Sequence, residues 1–168
     1  MSEDSDVLDS EYRELVRQLH PQTISVVVDV NIWWMQVLFR EVSMFTASVF
    51  DSDFDDEKVR ERANELQHEL QNDVERKLNT LAFGHPDPDV RRAAQAMTDH
   101  LFGVIFYYDG MHAKRKDGRE ATTAIRQAHS GMVELRRAAY HAPFRTSRPT
   151  PDYDGVGERQ PLPSSITQ

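Results

Sequence analysis

Residues 24–39 read ISVVVDVNIWWMQVLF, and the way this stretch folds decides the architecture of the whole chain. A membrane span needs about 20 predominantly apolar residues. This run is shorter, holds Asp29, Asn31 and Gln36, and continues directly into Arg40 and Glu41. It is therefore expected to be buried in protein and not in lipid. A strand over Ile24–Val30 is favoured locally by its β-branched residues. A helix is favoured by the wider pattern over 22–50. There the polar residues Ser25, Asp29, Gln36, Arg40 and Ser43 fall on one narrow face, and Val, Ile, Trp, Met, Leu and Phe cover the rest. The helical reading makes 22–50 a central helix surrounded by the others. Trp33 and Trp34, about 100° apart on such a helix, then face different neighbours.

The prolines extend this reading outward. Of eight, five (Pro143, Pro149, Pro151, Pro161, Pro163) fall in the last 26 residues. Pro21 sits just before the apolar run, and Pro86 and Pro88 share the sequence HPDPD (85–89). Upstream of Pro21, residues 8–20 place Leu8, Tyr12, Leu15, Val16 and Leu19 on one stripe, a short amphipathic helix that proline is expected to stop. Downstream, Val59, Ala63, Leu66, Leu70, Val74, Leu78 and Leu81 form a helical stripe ending near Gly84. Val90, Ala94, Met97, Leu101, Val104/Ile105 and Tyr108 form another, and LFGVIFYY within it is apolar on more than one face. Ala121, Ile125, Ala128, Met132, Leu135 and Ala139 alternate steps of four and three, the seam of a closely packed helix.

The expected fold is all-α: an antiparallel bundle of four long helices plus a short N-terminal helix, with an extended proline-rich C-terminal arm. Residues 1–7 are expected to be a flexible N-terminus, 8–142 the bundle and 143–168 the arm. No cysteine is present. This excludes thiolate catalysis, disulfides and cysteine-ligated zinc, and a body of this length can bury a core without them. The acidic, polar start MSEDSDVLDSEY is the opposite of a secretory signal, and the expected location is cytoplasmic or within a virion.

Charge is unevenly spread. Residues 1–110 carry 10 basic and 22 acidic side chains, whereas residues 111–150 carry 9 and 3. An acidic surface disfavours indiscriminate nucleic-acid binding. Asp51, Asp53, Asp55 and Asp56 lie in DSDFDDE (51–57), expected to cap the following helix. This stretch has the opening spacing of a calcium loop, but Asp56 replaces the required glycine and Arg62 the closing glutamate. Lys114, Arg115, Lys116 and Arg119 form the opposing basic cluster. No aromatic residue is interleaved for base stacking. Pairing of the two clusters between neighbouring copies would give a head-to-tail contact sensitive to salt. Glu65 and His68 make one Glu-x-x-His, the element di-iron bundles use twice, but the second copy is missing and both residues lie opposite the apolar stripe.

Ile24–Asn31 (ISVVVDVN) resembles the opening strand and first acidic residue of PIN-domain nucleases. That resemblance implies an alternating α/β fold and a metal-binding role for Asp29. Val59–Leu66 and Val90–Met97 align at a spacing of 31 and look like fragments of bacterial HEAT-like repeats, which implies a binding scaffold. The arm places Phe144, Tyr153 and Leu162 at intervals of nine, with Arg145 and Arg148 between the first two, as expected anchors on a partner. In layout the chain resembles the small helical adaptors that join head to tail in viral particles. The expectation is therefore a non-enzymatic assembly protein without cofactor or metal, forming a homo-oligomer and contacting a second protein through the arm. The alternatives are a PIN-like nuclease and a small regulatory bundle with a disordered tail.

Overall fold

The computed structural model describes residues 3–48, 56–114 and 119–144. Among these residues every long element is a helix and no strand occurs. The first rod comprises α1 (Glu3–Trp33), a π-helical turn (Trp34–Leu38) and α2 (Phe39–Ser48). The second comprises α3 (Asp56–Glu69), a π-helical turn (Leu70–Val74) and α4 (Glu75–Gly84). α5 (Pro88–Lys114) and α6 (Arg119–His141) follow, and a 3₁₀ turn (Ala142–Phe144) closes the described chain.

Two expectations are corrected. Ile24–Val30 is helical, so the strand that the nuclease resemblance requires is absent. The break expected at Pro21 is also absent: the short N-terminal helix is the first part of α1, which runs through Pro21 from Glu3 and includes residues 3–7. Proline removes one amide and crowds the carbonyl of Arg17, four residues back. Both Pro21 and Arg17 are exposed, so water can reach that carbonyl. On the opposite side Thr23 is buried, and its hydroxyl donates to the Leu19 carbonyl at 2.9 Å. Burial of Tyr12, Val16, Val27 and Val30 on one stripe holds both sides of the proline to the same core.

The core is made by the stripes expected from spacing. Leu66, Leu70, Leu78, Val90, Ala94, Met97, Leu101, Ala128, Leu135 and Ala139 are all buried. Both π-turns fall where apolar steps of four follow one another: Trp34–Leu38–Val42, and Leu66–Leu70–Val74–Leu78. Four residues of α-helix turn about 400°, so repeated steps of four drift about 40° each and would carry the stripe off the core. A π-turn closes its hydrogen bonds one residue further along and absorbs that drift.

Cross-helix pairs order the rods. Asp29 meets Lys77, Trp33 meets Glu69 and Glu41 meets Arg62, so rising numbers on the first rod meet falling numbers on the second. α5 makes contacts with α3, α4 and α6, and α1 with α4 and α6. The α5–α6 approach is close at Gly131, where an added Cβ would lie 2.6 Å from His100 Cδ2 and 3.2 Å from Met97 Sδ.

The turn between α4 and α5 is locked by its own side chains. Asp87, fully buried, accepts from the Asp89 amide at 2.8 Å and the Val90 amide at 3.4 Å, capping α5 with Pro88 in its first position. His85 Nδ1 accepts from the Asp87 amide at 3.0 Å, and Arg91 Nη1 donates to the carbonyls of His85 (2.8 Å) and Pro86 (3.0 Å). Burial, with Arg91 and His20 nearby and only Asp87 opposing, pushes His85 down to about 4.

Candidate interaction surface

The first rod is not enclosed by the others. Val28, Ile32 and Met35 are each more than 40 % exposed, and Met44 is 62 % exposed. The expected central helix is therefore a flank with two apolar stripes. Val27, Val30, Trp34 and Leu38 face inward, while Val28, Ile32 and Met35 form a second stripe about 100° away. Beside it the π-turn and the start of α2 shape a groove of about 600 Å³, lined by Met35, Gln36, Val37, Phe39, Arg40, Ser43 and Met44. Its floor is fixed from inside. Trp34, fully buried, donates its indole N–H to His129 Nδ1 at 3.1 Å, and the Phe39 and His129 rings meet edge-on at 4.8 Å. The two tryptophans do face different neighbours, since Trp33 donates to Glu69 Oε1 at 3.3 Å on the second rod.

At the same end, Arg62 ties three glutamates together. Its Nε lies 3.0 Å from Glu41, and its Nη1 lies 3.1 Å from Glu65 and 3.6 Å from Glu69. Burial alone would lower the guanidinium's pKa, but the hydrogen bonds to Glu41 and Glu65 outweigh it and hold it above its ordinary value. The buried Tyr108 hydroxyl donates to Glu41 at 3.4 Å, and burial together with Glu41 pushes its pKa up. This cluster braces α2, α3 and α5 against one another. One cation among three carboxylates is a brace of ion pairs, and among the described residues no group of three or more His, Cys, Asp or Glu side chains could hold a metal ion.

Asp29, the residue singled out by the nuclease resemblance, pairs with Lys77 at 3.2 Å, and Lys77 also reaches Asp73 at 3.5 Å. The bond to Asp29 holds the Lys77 ammonium above its ordinary pKa. Glu65 pairs with Arg62 and His68 is exposed, as the helical wheel predicts. Of the arm's expected contacts, Phe144 ends the 3₁₀ turn and is 79 % exposed. Arg145, Arg148, Tyr153 and Leu162 lie outside the described residues. So do Asp51, Asp53, Asp55, Arg115 and Lys116, while Asp56, Lys114 and Arg119 are described as helix ends through their backbone only.

Sequence reading missed the groove. The signal was present in Val28, Ile32 and Met35, which repeat at helical steps of four and three beside the inward stripe. Among the described residues no helix is long and apolar enough to cross a membrane. Compared with known proteins, the chain matches no family model, no curated protein and no solved structure.

Proposed function

We propose that this chain is a non-enzymatic structural protein that oligomerises and docks its C-terminal arm on a partner subunit. In this reading residues 8–142 form an antiparallel bundle and residues 143–168 form the extended arm. The role it fits is that of an assembly adaptor, such as the connectors that join head to tail in viral particles. The observation that carries the reading is the exposed apolar face of the first rod, Val28, Ile32, Met35 and Met44, with a groove beside it. A contiguous apolar surface of this kind marks an interaction site more often than scattered exposed residues do. Phe144, exposed where the arm begins, supplies an anchor of matching chemistry. Charge pairing between the acidic cluster at 51–57 and the basic cluster at 114–119 would set the order of copies.

The test is native mass at low and high salt, on the full chain and on a chain ending at residue 142. The expected result is a mass above the monomer for the full chain, a smaller mass for the truncated chain, and weaker association at high salt. An identical mass for both chains would refute the role of the arm. Self-association unchanged by reversing Lys114, Arg115 and Lys116 to Glu would refute the charge pairing.

A further inference from the structure

We infer that the groove at Met35–Met44 receives Tyr153, with its flanking aspartates, from the arm of a neighbouring copy. The inference rests on the assembly reading and supplies the receptor that reading needs.

The chemistry of the two sides matches. Met35 and Met44 offer exposed, unbranched thioethers that adapt to an aromatic ring, with Val37 and Phe39 beside them. Arg40 lines the same groove and is exposed. In the arm, Tyr153 stands in PDYDG (151–155), between Asp152 and Asp154, whereas Leu162 stands between Pro161 and Pro163. Of these two arm segments, the one at Tyr153 carries both an aromatic ring to set against methionine and a carboxylate to set against Arg40.

Reach points to a second copy. The Phe39 and His129 rings touch, so α6 passes the groove at residue 129. The helix then carries the chain about 22 Å away before Phe144, at 1.5 Å per residue. Nine residues from Phe144 to Tyr153 cover at most about 30 Å when extended. With Pro149 and Pro151 in those nine, a return along the same copy would need a reversal at Phe144 and about three quarters of that length. A neighbour whose α6 ends near the groove delivers Tyr153 with no reversal.

The absence of native cysteine makes this testable in the full chain. Chains carrying Ser43→Cys alone and Gly155→Cys alone, which keep Met44 and Tyr153, are mixed and oxidised, and crosslinked dimers are read on a non-reducing gel. The expected result is a mixed dimer that forms at least about tenfold faster than the one from Ser43→Cys with Ser164→Cys beside Leu162, because docking raises the local concentration of the two thiols. Arg40→Asp should slow it, and adding Asp152→Arg and Asp154→Arg to the Gly155→Cys chain should restore it. Equal rates for the Gly155 and Ser164 pairs would overturn the inference. So would a crosslink found only within single chains carrying both Ser43→Cys and Gly155→Cys. If native mass still shows oligomers in either case, the assembly reading stands and only this receptor falls; a monomer at every concentration ends both.

Discussion

Replacing Asp87 should be among the most damaging single changes in the helical body. Its carboxylate is fully buried and accepts from two amides at the start of α5, Asp89 at 2.8 Å and Val90 at 3.4 Å. Asp87→Ala removes a helix cap, worth about 1 kcal/mol. Because the Val90 amide it serves is buried, the same loss rises here to about 1–3 kcal/mol. The half-buried Arg91, which anchors the turn through the His85 and Pro86 carbonyls, loses its nearby negative charge as well. The expected total is about 2–4 kcal/mol, a fall in melting temperature of roughly 5–12 °C for a chain of this size. Asp87→Asn keeps an oxygen where the cap needs it and removes only the charge, so it should cost less than half as much. Urea unfolding followed by circular dichroism at 222 nm measures both, and an unchanged urea slope would confirm that only stability moved. The reasoning fails if Asp87→Ala lies within about 0.5 kcal/mol of the parent, the usual range of surface substitutions. It also fails if Asn is as harmful as Ala, because the cap would then not be the source of the effect.

Other expectations concern single contacts. His85 is held neutral by burial, with a folded pKa of about 4 against an ordinary 6.5. The unfolded chain therefore binds the extra proton first; this contribution is complete above about pH 6.5 and is lost as pH falls toward 4, by roughly 2–3 kcal/mol. His85→Asn, whose side-chain oxygen can accept from the Asp87 amide, should flatten that part of the pH–stability curve, and parallel acid profiles for parent and variant would contradict it. Gly131→Ala should destabilise the parent by about 1 kcal/mol through its clash with His100. In a His100→Ala background the same change should be neutral or stabilising, since alanine is the better helix former by about 1 kcal/mol; thermal melts of the four chains decide this. His129→Ala leaves the buried indole N–H of Trp34 without its acceptor and should cost about 1–3 kcal/mol, with a shift in tryptophan emission. A fluorescence spectrum unchanged by that substitution would count against the contact.

Much of the fold was legible because burial imposes a period. The stripes Leu66–Leu78, Val90–Tyr108 and Ala121–Ala139 follow from spacing alone, and those residues line the core apart from the partly buried Ile125. Two things escaped that method. Pro21 reads as a stop, because the local cost of proline is large and the offsetting burial of Val16 and Val27 on either side depends on helices distant in sequence. The groove escaped because hydrophobicity does not report which of two adjacent stripes is covered. Val27 and Val28 are chemically identical, and only the placement of neighbouring helices buries the first and exposes the second. The arm's expected partner residues, apart from Phe144, lie outside the described residues.

The paired π-turns also determine where this chain could tolerate losing a residue. Each rod carries one residue more than an α-helix of the same shape would hold, at 34–38 and at 70–74. Removing Gln36 would turn the inward spacing of Val30, Trp34, Leu38 and Val42 from four, four, four into four, three, four. Removing Asn72 would likewise leave Ala63 through Leu81 alternating threes and fours. Either deletion yields an ordinary α-helix with the same residues inward, whereas a deletion at Asp29 would rotate everything beyond it by about 100°. The surplus residues thus read as insertions that the core absorbed. In the first rod, the insertion lies at the turn that now forms the wall of the exposed groove.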